Sequence, residues 1–218
     1  MAIIIMAIWP LFMPVADSVV LMPIVSVISV LIILVRTFRF INFKLLIIPT
    51  VFSFSGLAIG LRLMLSFDNT IMIRILGGVL IGLAIYFFFF SAKIKIPNNY
   101  ITAVIAGLIS GVLNGLVNIA GPPIVLYYSV ATKDKNEYMG TIQAFTIMNI
   151  VFRLILYLFI AKISPETVIY MPYAVVSAVL GVVIGTTLFR KLRTESIRKF
   201  TYITMLVMGI WYMLGGTA

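Results

Sequence analysis

The chain contains the sequence GVLNGLVNIAGPPIVLYY at residues 111–128, an apolar stretch that two consecutive prolines interrupt. Proline lacks the amide hydrogen that continues a helix, so Pro122 and Pro123 predict a break at residues 120–123. The chain remains apolar on both sides of this break, from Tyr100 to Thr132. That segment is longer than the ~20 residues that cross a membrane once. We therefore expect a broken helix here and not a simple span.

The composition is typical of helical membrane proteins. Of the 218 residues, 63% are hydrophobic, which supplies roughly seven spans of ~20 apolar residues. Only 10% are charged, against about 25% in soluble domains. The absence of Cys and His from the sequence removes the residues that carry most metal and nucleophilic chemistry. We expect an all-α, polytopic protein of the lipid bilayer that is not an enzyme and has no cofactor.

The other apolar segments predict further membrane-spanning helices. Short polar or basic loops separate them, and no soluble domain is recognisable between them. The expected spans are Val15–Val35, Leu45–Ser66, Ile71–Ser91, Thr141–Ala161, Thr167–Phe189 and Phe200–Leu214.

The basic residues indicate how the broken segment crosses the bilayer. If residues 100–132 cross once, the Lys and Arg residues of the loops divide almost evenly between the two sides. If the segment turns back, as a hairpin of a longer and a shorter helix, twelve of the 16 basic residues fall on one side and three on the other. Cytoplasmic loops carry an excess of Lys and Arg, which favours the hairpin. The net charge of +10 then reports topology and not a nucleic-acid partner.

Small residues predict close helix packing and an internal repeat. Gly107, Gly111 and Gly115 leave one helix face without side chains, so a neighbouring helix can approach it closely. The motifs Gly56-x3-Gly60 and Gly181-x3-Gly185 fall 125 residues apart. We interpret them as parts of two inverted repeats, each with a broken or re-entrant helix, as in many secondary transporters. Chance recurrence of a common packing motif is the alternative.

The expected repeats are residues 1–99 and 100–218, with the broken helix at 120–123 in the second. The counterpart of this break would fall just before Met1, so we expect the first repeat to be shortened at its N-terminus. Either the shortened form is natural, or a second chain completes the site. The second alternative predicts a possible homo-oligomer.

Polar side chains lead to the break. Ser110, Asn114 and Asn118 recur every four residues and share one helix face. Asparagine at membrane depth is costly without a partner, which favours a binding role over a packing kink. A second helix is expected over Ile124–Val130, and its amide hydrogens and positive dipole end would form an anion site. The candidate substrate-binding residues at the break are Asn114, Asn118, Gly121, Pro122, Pro123 and Ile124.

Arg153 lies in the middle of an expected span, where ionisable groups are functional hypotheses by default. Its planar fork of donors suits a carboxylate, sulfite or sulfonate group. Gln143 and Asn149 are expected to face the same interior. Snorkelling, or pairing with a carboxylate, is the alternative for Arg153. Asp17 is the candidate for ion coupling or for pairing with Arg153, although a first-turn residue can also stabilise a helix N-terminus.

The stretch at 111–128 resembles the second signature of the sulfite exporter TauE/SafE family, a glycine-rich break followed by Pro-Pro and an aliphatic-aromatic run. Residues Val15–Pro23, the basic loop after the first span and the Pro49–Gly60 stretch are similar to the family's first half. The chain departs from the family in having Asn118-Ile-Ala-Gly121 in place of consecutive glycines, and in lacking the first glycine-rich signature. The resemblance implies a multi-pass protein of the inner (cytoplasmic) membrane.

The resemblance also implies transport of small, often sulfur-containing or carboxylate anions. We accordingly expect a secondary transporter, or permease, that moves such anions and is driven by an ion gradient. Two rival functions remain open at this stage. One is a passive anion channel, whose flux would not saturate, and the other is a non-transporting assembly or partner protein of the membrane.

Overall fold

A computed structural model describes residues 7, 9–11, 15–89, 97–160 and 194–215, and every regular element within these residues is helical. By length and composition, four of the described helices could cross a membrane: α2, α3, α4 and α6 in the numbering that follows. The predicted all-α, polytopic class is therefore confirmed. The helices are α1 (Val15–Thr37), α2 (Phe43–Ser66), α3 (Asn69–Phe89), α4 (Tyr100–Val117), α5 (Gly121–Ala131), α6 (Lys135–Ile160) and α7 (Thr194–Met213), with short 3-10 helices at Trp9–Leu11 and Phe38–Phe40.

The chain forms two compact units. One, which we call the hairpin unit, contains Ser26–Ser66 and Lys95–Ile163; the other contains Met1–Val25, Phe67–Ile94 and Ser164–Ala218. Each unit draws residues from both halves of the sequence. The span expected at Thr167–Phe189 and the motif Gly181-x3-Gly185 lie outside the described residues, so the inverted repeat and its boundary at residue 99 stay predictions.

Helices α2 and α4 of the hairpin unit pack directly backbone to backbone. A Cβ added to Gly107 would lie 2.8 Å from Pro49 Cα, and one added to Gly111 would lie 2.8 Å from Ser53 Cα. Each contact advances by four residues on both helices, so α2 and α4 run parallel. The predicted glycine face is confirmed, and its partner is the helix that carries the motif Gly56-x3-Gly60. We call this contact the glycine seam.

Helix α6 runs parallel to α2 as well. Near the start of both helices, the Asn42 amide donates to Thr141 Oγ at 3.1 Å. Further along, the rings of Phe54 and Phe152 stack with their centroids 4.2 Å apart. Because α4 and α6 are both parallel to α2, the starts of all three helices lie at one end of the hairpin unit.

Helix α5 turns back along α4. Tyr127 and Tyr128, in the second half of α5, share one buried cluster with Ala103 and Ala106 from the first half of α4. If α5 continued in the direction of α4, these residues would lie more than ~20 Å apart, at 1.5 Å per helical residue. The two helices are therefore antiparallel.

The loop after α5 lies at the end of the unit where α2 begins. Glu137 joins these parts by accepting the Lys133 amide at 2.7 Å and the side-chain amide of Asn42 at 2.6 Å. The segment from Tyr100 to Thr132 thus enters and leaves the unit at the same end. The predicted hairpin of a longer and a shorter helix is present in the described chain.

In the other unit, α3 and α7 pack antiparallel through glycines. A Cβ on Gly77 would lie 2.8 Å from the carbonyl oxygen of Gly209, and the rings of Phe87 and Tyr202 stack at 5.5 Å. The Tyr212 hydroxyl donates to the Ala7 carbonyl at 2.7 Å. The glycine and ring contacts hold α3 and α7 in register, and the Tyr212 hydrogen bond ties α7 to Ala7.

Candidate functional site

The first half of the broken helix ends at Asn118. This residue has φ 55° and ψ 31°, the left-handed conformation, and its amide donates to the Asn114 carbonyl at 2.9 Å. It is the one non-glycine residue with positive φ among the described residues. Asparagine is one of the few residues other than glycine that adopt this geometry readily. The backbone of Asn118 therefore terminates α4.

The break starts two residues and ends three residues earlier than the prolines suggested. We predicted it at 120–123 with a restart at Ile124, but α4 ends at Val117 and α5 begins at Gly121. The prediction was wrong because proline is tolerated in the first turn of a helix, where its missing amide hydrogen would have no intrahelical acceptor. Pro122 and Pro123 thus lie inside α5 and not in the break.

The earlier start of α5 changes which amide groups are available to the predicted anion site. Pro122 and Pro123 offer no amide hydrogens, and the Ile124 amide follows the helical pattern of donating to the carbonyl four residues earlier. Ala120 and Gly121 supply the two first-turn amides that have no acceptor in this pattern. Pro122 and Ile124 are buried, whereas Gly121 is partly exposed.

Arg153 extends from α6 to the break. Its side chain is only 1% exposed, and Nη1 donates to Asn118 Oδ1 at 2.5 Å while Nη2 donates to Asn114 Oδ1 at 2.9 Å. Asn114, Asn118 and Arg153, which were predicted as separate candidates, are therefore in direct contact. Two amide oxygens, four residues apart at the end of α4, match the two ends of one guanidinium fork. These bonds orient the guanidinium and leave its charge unchanged.

The polar face of α4 extends one turn beyond this cluster. Ser110 is buried on the same side as Asn114, as the four-residue spacing predicted. Its hydroxyl has no hydrogen-bond partner within the described chain. Arg153 therefore engages the last two polar side chains of the row and not the first.

Asn149 links α6 to α2 and is not part of the Arg153 cluster. It is 2% exposed, accepts the Ser53 hydroxyl at 2.7 Å and donates to the Phe145 carbonyl at 2.9 Å. The bond to Ser53 ties α6 to α2 one turn before Arg153. Gln143 is half-buried and lies about 15 Å along α6 from Arg153, so the structure does not bring it to the cluster.

Two residues near the site were missed in the sequence. Tyr157 is 2% exposed and interacts with the Arg153 guanidinium from the next turn of α6. Its spacing of four residues from Arg153 could have identified it. Ser53 is 96 positions from Asn149 and carries no local signal of that contact.

Asp17 lies in the first turn of α1, but its side chain lies outside the described residues. Its candidate roles in ion coupling, in pairing with Arg153 or in stabilising the helix N-terminus stay predictions.

The arrangement favours recognition of an anion. A buried guanidinium is held in a fixed orientation at the tip of a helical hairpin by Asn118, which lies three residues before the positive end of the α5 dipole. Arginine donors match the oxygen geometry of carboxylate and sulfur oxyanions. Positive charge in a low-dielectric interior is screened little by salt.

Comparison with known proteins identifies the family of this chain. The model of the family described as Sulfite exporter TauE/SafE matches residues 1–212, which is nearly the whole chain. No curated protein and no solved structure matches this chain. The chain is therefore a multi-pass membrane protein that belongs to the TauE/SafE family of membrane transporters for sulfite and related sulfur anions.

Proposed function

We propose that this chain is a secondary transporter that carries small oxyanions, namely sulfite, sulfonates or short carboxylates, across the cytoplasmic membrane. The observation that carries the proposal is the Arg153 guanidinium, buried at the break and oriented by Asn114 and Asn118. Burying a cation is costly, and a protein retains one inside a membrane where it serves a substrate or ion pathway.

The transport mechanism follows from the hairpin. An anion binds to the guanidinium at the tip, and access alternates as one part of the bundle rocks against another around this fixed point. The sequence contains no nucleotide-binding motif, so an ion gradient or the gradient of the anion itself drives transport, with Asp17 as the coupling candidate. A second copy of the chain is the proposed protein partner.

The test is flux of radiolabelled sulfite into proteoliposomes, with the purified wild-type protein and two matched variants. Arg153→Gln removes the buried charge, and Arg62→Gln removes an exposed charge from α2 by the same chemical change. A hydrogen-bonded charge contributes about 1.5–3 kcal/mol, so anion affinity should fall roughly 10-fold to 100-fold in Arg153→Gln and stay unchanged in Arg62→Gln.

Two controls and two refuting outcomes complete the test. Arg153→Lys keeps the charge but loses the fork, and it should retain part of the flux. Each variant must show a wild-type melting curve before its flux is compared. Wild-type sulfite affinity in a folded Arg153→Gln protein would refute the proposed site, and flux that never saturates would identify a passive channel instead.

A further inference from the structure

The sequence RTFRFINFK at residues 36–44 runs from the end of α1 to the start of α2 and interleaves cations with aromatic rings. We call it the basic-aromatic segment. Its three cations are exposed, namely Arg36, Arg39 and Lys44. Its three phenylalanines are 46–61% exposed, namely Phe38, Phe40 and Phe43. The segment therefore presents positive charge and apolar surface together.

The described protein does not neutralise this charge. The sequence has no Asp or Glu between Asp17 and Asp68. Two carboxylates lie at the same end of the hairpin unit, and both are engaged elsewhere. Asp134 accepts the backbone amide of Glu137 at 2.9 Å, and Glu137 accepts the side chain of Asn42 and a backbone amide of the loop after α5. Within the described residues, neither carboxylate pairs with a cation of the segment.

The backbone of the segment is fixed against the start of α6. A Cβ added to Gly140 would lie 2.7 Å from the Thr37 carbonyl oxygen, so the two backbones are in direct contact. The Asn42 amide donates to Thr141 Oγ at 3.1 Å, and Asn42 Oδ1 accepts the Lys44 amide at 3.1 Å. A partner that binds the segment therefore has little of the backbone left to order.

The location of the segment indicates the partner. It precedes α2, which is long and apolar enough to cross a membrane, so it lies at a membrane surface. Basic residues there attract anionic headgroups, and exposed phenylalanines enter the boundary of the acyl chains. A soluble anion would leave these rings in water.

We propose that the basic-aromatic segment binds anionic phospholipids. Arg36, Arg39 and Lys44 donate to the phosphate oxygens, and the three rings lie among the upper parts of the acyl chains. This lipid site is separate from the Arg153 cluster and does not depend on the proposed transport.

The experiment titrates phosphatidylglycerol, an anionic phospholipid, into the purified protein in micelles of detergent and phosphatidylcholine at constant total lipid. Kd is obtained from the rise in melting temperature, since a ligand that binds only the folded state stabilises it. Each basic residue near an anionic surface contributes about fivefold in affinity. The double variant Arg36→Gln, Arg39→Gln should therefore raise the Kd roughly 25-fold.

Two further double variants are matched to this one. Arg62→Gln with Arg74→Gln removes the same charge from exposed positions outside the segment, and its Kd should equal that of the wild type. Phe38→Ala with Phe40→Ala keeps the charge and removes apolar surface. Its Kd for phosphatidylglycerol should rise at least about fivefold.

The inference is overturned if phosphatidylglycerol does not stabilise the wild type, or if the two arginine double variants have equal Kd values. Glycerol phosphate, a soluble analogue of the headgroup, separates a lipid from a free anion. Equal stabilisation by glycerol phosphate, unaffected by loss of the rings, would show that a soluble anion binds and would also overturn it. An Arg36→Gln, Arg39→Gln protein that does not fold without phosphatidylglycerol would do the same, since the fold itself would then require the charges. Sulfite flux is measured separately, so failure here leaves the proposed function standing.

Discussion

Asn118 combines two roles that substitutions can separate. Its backbone ends α4 in the left-handed conformation, and its side chain accepts a hydrogen bond from Arg153. Asn118→Gly removes the second role and preserves the first, whereas Asn118→Ala removes both. Comparison of these two variants therefore isolates the contribution of the backbone geometry.

The expected magnitudes follow from these roles. Loss of a hydrogen bond to a charged partner costs about 1.5–3 kcal/mol in either variant. The left-handed conformation costs alanine about a further 1–2 kcal/mol. The greater entropy of unfolded glycine offsets about 0.5–1 kcal/mol of that difference. Asn118→Gly should therefore be less stable than the wild type, and Asn118→Ala less stable again by up to about 1.5 kcal/mol.

The assay is reversible unfolding of the purified protein in mixed micelles, monitored by far-UV circular dichroism. Asn118→Asp serves as a functional comparison, because a carboxylate beside Arg153 would compete with an anionic substrate. We expect Asn118→Asp to lose sulfite binding with little change in stability, since a buried ion pair often contributes little net free energy. The reasoning is refuted if Asn118→Ala is at least as stable as Asn118→Gly, or if both match the wild type.

Two further predictions test the hairpin unit. Gly111→Ala should lower the free energy of unfolding by about 1–3 kcal/mol, as overpacked cores do, because its Cβ would lie 2.8 Å from Ser53 Cα; equal stability with the wild type would contradict the glycine seam. The 218-residue sequence has no Cys, so Asn98→Cys and Lys133→Cys can each be introduced alone and labelled with a membrane-impermeant thiol reagent. Both should react from the same side of the membrane, and labelling from opposite sides would exclude the hairpin.

The sequence correctly predicted features that depend on the spacing of residues within one helix. The four-residue spacing of Asn114 and Asn118 predicted their shared face, and the charge of the loops predicted the return of the broken segment. Glycines on one face of α4 predicted close packing, since the absence of side chains allows backbone contact whatever the partner helix is. The spacing and glycine inferences depend on residues close together in the chain, whereas the charge inference compares loops along the whole sequence.

The features of the site that the sequence did not predict depend on tertiary structure. The bond between Ser53 and Asn149 joins different helices, and no local pattern encodes it. The position of the break was misjudged because the same prolines are compatible with a helix interruption and with a first helical turn. The prediction for Asn118 considers only its side chain. The tolerance of asparagine for the left-handed conformation is the stronger local indication that a helix ends there.

The prolines at the start of α5 have a consequence for motion. In a continuous helix, the ring of Pro122 would clash with the carbonyl of Asn118, and that of Pro123 with the carbonyl of Ile119. A helix that ran continuously through both prolines would be kinked at this point, so the gap between α4 and α5 resists closing into one straight helix. The two arms of the hairpin can tilt as separate rods about residues 118–120, and the proposed anion site lies at their joint.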